Sequence, residues 1–103
     1  MYYLHKIFEG NLQEHGCASF QYTAKEHKNV RGAFCTGNCS VSLSLQNAGK
    51  VFLHNFYFGL NTDVPPNQRP ILLPKSVKMD VASGVITGVI KKDISVYLIT
   101  ENE

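Results

Sequence analysis

The 103-residue chain has no tryptophan, and its four prolines are confined to the window from Pro65 to Pro74. The missing tryptophan excludes nothing. Three cysteines are an odd number, so they cannot form a complete internal disulfide framework, and reduced thiols made in a cytoplasm are the expectation. Charge of either sign is sparse. Ten basic residues against eight acidic ones leave a net charge of +2. The basic residues are scattered from Lys6 to Lys92 rather than gathered on one element, which argues against a nucleic-acid surface. No apolar run approaches the roughly 20 residues needed to cross a bilayer, so membrane insertion is not expected. No basic-then-apolar leader opens the chain, so no secretory signal is expected. A Gly-x-Ser-x-Gly elbow and a glycine-rich phosphate loop are both missing.

What is present suits one globular domain with a modest core: 44% hydrophobic and 11% aromatic residues. From Cys17 onward the pattern is of strands cut by turns. Ala18, Phe20 and Tyr22 alternate with Ser19, Gln21 and Thr23, the period of a half-buried strand. Lys25–Asn29 reads as a polar turn, and Val30–Cys35 as the next strand. Thr36, Gly37 and Asn38 supply turn chemistry. Cys39, Val41, Leu43 and Leu45 then alternate with Ser40, Ser42 and Ser44, the cleanest apolar-in, polar-out strand in the chain. Gln46–Gly49 turns it back into an aromatic strand from Val51 to Leu60. That strand puts Phe52, His54, Phe56 and Phe58 on one face and Val51, Leu53, Asn55 and Tyr57 on the other. Both faces carry bulk, so a second layer or a partner is expected to cover it.

The proline window, Asn61 to Pro74, excludes a helix or a central strand, because each proline fixes its own φ, removes a donor and extends its predecessor. An ordered crossing loop with Arg69 held inside it is expected, anchored by hydrogen bonds to carbonyls or to Asp63. Val77–Ala82, a tight turn at Ser83-Gly84, Val85–Ile90 and Ile94–Thr100 complete the chain. The spacing predicts an all-β fold: an antiparallel sandwich or jelly-roll-like barrel of about seven to eight short strands. Tyr2–Leu12 fits a helix or a strand. It is set apart here as residues 1–16, an N-terminal stem or partner-contact segment, with the β-sandwich domain over 17–103.

Three kinds of chemistry can be tested on the residues. His15, Cys17, Cys35 and Cys39 are soft ligands, and a small metal-binding protein or β-barrel enzyme could be built on them. Yet Cys39 lies in phase with Val41 and Leu43 and so points into the core, and Cys35 flanks the same turn and could face it, as thiols or as a disulfide. No metal and no cofactor is assigned. Pairs of His5, His15, His27 or His54 with a serine or cysteine arise from their numbers alone, so no catalytic residue is assigned. The carboxylates sit at turns and ends, where they serve solubility. Binding remains, and His54, Asn55, Tyr57 and Arg69 are the residues expected to carry it.

Val64-Pro-Pro-Asn-Gln-Arg-Pro70 resembles a motif of the form Leu-Pro-x-Gly-x-Arg-Pro found in C-terminal head domains of phage tail, baseplate and receptor-binding proteins. The layout of strands from Val30 to Thr100 is similar to theirs. Asn67-Gln68 stands where that pattern has glycine, and Lys92-Asp93 replaces its terminal Asp-Gly turn. The resemblance implies a non-enzymatic head in a virion tail, made in a bacterial cytoplasm. It also implies homotrimeric packing, contacts with other tail proteins and recognition of a host-surface saccharide. The alternative expectation is a small inhibitor or effector that binds a protein partner through an exposed β-edge.

Overall fold

A computed structural model describes residues 2–58, 70–89 and 92–101, the side chains of His27 and Lys92 excepted. The segment Asn61–Arg69, with Asp63 and Arg69, lies outside the described residues, and so do the expectations placed on it. The described chain is all-β. Six strands, β1 (Tyr2–Leu12), β2 (Cys17–Cys35), β3 (Cys39–Asn47), β4 (Lys50–Phe58), β5 (Ile71–Gly88) and β6 (Lys92–Glu101), form one antiparallel sheet in the order β1-β6-β2-β5-β3-β4.

Two of the described strands do not stop where the residues suggest. Lys25–Asn29 is not a turn. β2 runs through it, and between the pairs Thr23↔Val81 and Lys28↔Met79 it carries four residues against the single Asp80 of β5. Ser83-Gly84 is not a turn either, since Gly84 pairs with Phe20 on one side and Leu43 on the other. β5 also passes through Pro74, against the expectation for the proline window. It does so in a mirror-image irregularity: between Val30↔Val77 and Gly32↔Leu72, four residues of β5, Pro74 among them, face Arg31 alone. An irregularity is where a strand tolerates a missing donor.

These two dislocations let the ladder of β2 and β5 bend. The first half of β2 pairs only with β5, while its second half is shared between β5 and β6. Leu12, Ile94 and Val96 from one end of the sheet join Val41, Leu43 and Phe56 from the other in a single buried cluster, so the sheet folds over on itself. Met79, Ile86 and Leu98 fill the middle, each with no exposed surface. Fully burying side chains of this size stabilises by roughly 1.5–3 kcal/mol apiece. Residues 2–12 of the N-terminal segment are strand rather than helix, and they enter the same sheet: β1 pairs with β6 from Tyr2↔Glu101 to Leu12↔Lys92, and Leu12 is in the core.

Gly84 is where β5 comes closest to its neighbour. A Cβ there would run into the backbone carbonyl of Ser42 on β3. Gly84→Ala therefore forces the two strands apart, and overpacking of this kind costs on the order of 1–3 kcal/mol. A fall in the urea midpoint of that size is the expected outcome. An unchanged midpoint would mean that β3 and β5 do not approach as described.

His5 on β1 bonds Thr100 Oγ1 through Nε2 at 2.8 Å and stands 5.8 Å from the Tyr22 ring. Thr100 is the one buried polar residue among the described side chains. Burial, and then the charge of Lys28, push the His5 pKa below its ordinary value of 6.5. The folded chain thus takes up this proton less readily than the unfolded chain. The neutral His5 contributes fully above pH 6.5, and that contribution is lost as the pH falls through 6.5 toward the lower folded value. Urea midpoints measured across this window should decline, and His5→Gln should remove that part of the decline. Equal slopes in the two proteins would show that His5 is not its source.

Candidate functional site

Among the described residues β1 and β4 are the two edges of the sheet, and each leaves a row of backbone donors and acceptors facing outward. They are treated differently. β1 is interrupted by a register shift between Lys6 and Phe8, and it carries a Lys6–Glu9 ion pair at 3.0 Å. A bulge and outward charges are the usual means of keeping another strand away from an edge. β4 has neither. Its pairing with β3 is unbroken over nine residues, from Lys50↔Asn47 to Phe58↔Cys39, and Lys50 at its very start is its single Lys, Arg, Asp or Glu.

Alternation decides what β4 shows. Phe56 and Phe58 turn inward and are 2% exposed, their rings stacked at 6.2 Å. On the outer face Leu53 is 76% and Tyr57 59% exposed, with Val51 in line and Val85 of β5 across β3. So much apolar surface along an unguarded edge is uncommon on a protein that works alone.

Beside it is a hollow of about 370 Å³ lined by Ser42, Leu43, Ser44, Leu53, Asn55, Gly84 and Val85. Its shape follows from side-chain size. Ser42, Ser44 and Gly84 are small and form the floor, and Leu53, Asn55 and Val85 stand around it. Two hydroxyls and an amide among aliphatic walls can hold a neutral polar group by hydrogen bonds, but they offer no nucleophile with a base and no acid. A second hollow of about 320 Å³ is bounded by Tyr2, Leu4, Phe34, Pro70, Leu72 and Ile99 and presents no polar surface.

The expected binding residues divide. Asn55 and Tyr57 are exposed on the outer face, and Asn55 lines the hollow. His54 belongs to the opposite face, half-buried, with its ring 6.4 Å from that of Phe56. It is therefore not part of the surface that Asn55 and Tyr57 share. Arg69 lies outside the described residues. The floor of the hollow was not foreseen: the serines of β3 read as the wet side of a strand, and Gly84 as a turn. No residue type in that floor signals binding by itself.

The four soft ligands do not come together, and no cluster of three or more metal-binding side chains exists among the described residues. His15 and Cys17 are exposed, and the Cys17 Sγ rests 3.5 Å from Thr87 Oγ1. Cys35 and Cys39 are wholly buried. A hydrogen bond with Cys35, and then burial, hold the Cys39 thiol well above its ordinary range. Comparison with family models, curated proteins and solved structures gives no match.

His54 has a further property. Its Nε2 is buried and has no hydrogen-bond partner among the described residues. An unpaired polar atom away from water costs about 1–3 kcal/mol. A phenyl ring replaces it with similar shape and no such atom, so His54→Phe should raise stability by about 1 kcal/mol or leave it unchanged. Thermal unfolding checks this. A marked loss would show that the imidazole is paired in solution.

Proposed function

We propose that this chain is a non-enzymatic assembly domain that joins a macromolecular partner along β4 and its outer face. The observation that carries this is the unbroken edge of β4, charged only at Lys50, with Leu53 and Tyr57 exposed beside it. An added strand would satisfy the open backbone groups of β4, and the apolar outer face would be covered with it. The resemblance to phage tail and baseplate head domains supports another copy of the chain as the partner, in a closed ring of three, because a closed ring leaves no such surface open. Such a head belongs to a virion tail. The hollow at Ser42, Ser44 and Asn55 then offers hydroxyl and amide partners suited to a host-surface saccharide.

A second reading is favoured by the same edge: a small inhibitor or effector that pairs β4 with a strand of a different protein. Mass in solution separates the two. At tens of micromolar the wild-type chain should run as an oligomer. Tyr57→Glu and Leu53→Glu each place an unpaired charge in the interface, where desolvation is costly. Both should move the mass toward one chain while leaving the β circular-dichroism signal in place. A wild-type mass of one chain would sink the homo-oligomeric assembly and leave the edge to a foreign strand.

A further inference from the structure

We propose that Cys35 and Cys39 are a built-in dithiol that closes to a disulfide, and reopens, without a change of fold, the oxidant being a low-molecular-weight disulfide. The two Sγ atoms are 2.9 Å apart. Two sulfurs held by one tetrahedral zinc, with Zn–S bonds of about 2.3 Å, stand about 3.8 Å apart, so the pair is too tight for shared metal ligands. A disulfide bond is about 2.05 Å long, and closing the gap takes movement of about 0.9 Å.

The surrounding structure holds the sulfurs in this relation. Cys35 ends β2 and pairs with Val96 of β6, whereas Cys39 begins β3 between Gly88 of β5 and Phe58 of β4. The two cysteines are thus fixed on different neighbours and joined only through Thr36, Gly37 and Asn38. That link is itself tied down. Thr36 N donates to Ser95 O at 3.0 Å, Ser95 N donates to Thr36 Oγ1 at 2.9 Å, and Val89 N donates to Asn38 O at 3.2 Å. Within the link, Gly37 N donates to Cys35 Sγ at 3.4 Å and the Cys35 thiol donates to Gly37 O at 3.2 Å. A Cβ on Gly37 would press on Ile94 Cγ1, so the turn has little room to rearrange.

The exchange balances in two steps. One cysteine, as thiolate, attacks the small disulfide, giving a mixed disulfide and releasing one small thiol. The other cysteine then displaces the second small thiol, forming the Sγ–Sγ bond. The two cysteine protons leave with the two small thiols, the protein is oxidised by two electrons, and the small disulfide is reduced by two. Both cysteines have no exposed surface, so the attack needs the turn at 36–38 to open, and exchange in the folded chain is slow. The closed ring spans only residues 35–39, which puts the gain in stability at the low end for a disulfide.

The test uses the full chain carrying Cys17→Ser, which removes the exposed thiol and leaves the pair. It is unfolded in urea with oxidised and reduced glutathione and then refolded. Intact mass should show the loss of two hydrogens and no glutathione adduct, and the tryptic peptide 32–50 should carry that loss. The β circular-dichroism signal should be unchanged, the urea midpoint slightly higher, and dithiothreitol should reverse everything. Two thiols that still react after refolding, a stable glutathione adduct, an oxidised chain with a lost β signal, or one zinc retained per chain would each overturn the proposal.

Discussion

The structure depends on one ladder, that between β2 and β5. These strands are the longest in the chain at 19 and 18 residues, and they hold the middle of the sheet. β6 and β1 are built outward from β2, and β3 and β4 outward from β5. A straight ladder of this length would give a flat sheet with one face open to water. The paired irregularities, one on each strand, supply the bend that brings the inner faces of the two wings together over Met79 and Ile86. Gly32 and Gly84 serve the same ladder. At each, an added Cβ would strike neighbouring backbone, that of Ile71 or of Ser42.

Once the ladder is bent, the two edges become distinct surfaces. β1 stays close to β6, is broken by its register shift, and mixes the Lys6–Glu9 pair with exposed Tyr2, Tyr3 and Leu4. β4 lies at the far side of the β3 wing and spends its exposed side on leucine, valine and tyrosine. The contrast lies in the bulge and ion pair that break the β1 edge and are lacking on β4, and it is why the binding proposal falls on β4 and not on β1. Asn55 and Tyr57 take their place in that surface through alternation alone, and His54 is withheld from it by the same rule.

The residues make some of this legible. The alternation from Cys39 to Leu45 places every one of its apolar side chains correctly, because an inner strand with one wet face has a strict period. The two faces of β4 are legible for the same reason, except that Phe52, on the inward face with Phe56 and Phe58, is exposed. The long strands are not. Lys25–Asn29 and Ser83-Gly84 have turn composition, and a local pattern cannot distinguish a chain that reverses from one that dislocates and carries on. The difference lies in partners far away in sequence: Met79 and Asp80 for the first segment, Leu43 and Phe20 for the second. Pro74 misleads similarly, since its missing donor matters only if the opposing strand needs it, and Arg31 alone faces that stretch. The hollow beside Asn55 was hidden because it is made by the smallness of its floor.

β6 sits between β1 and β2, pairing with both. Among the described strands β1 therefore has β6 alone as its ladder partner, although the two are far apart along the chain. Tyr2 has to wait for Glu101. Loop-closure entropy is met before such distant contacts reward it, which makes folding of this topology slow. Through that interval Tyr2 and Leu4 stand in an apolar segment without its sheet neighbour, the kind of segment that aggregates or attracts chaperones. The charges of Lys6 and Glu9 thus act before the fold exists as well as after it, guarding β1 during the time it has no neighbour.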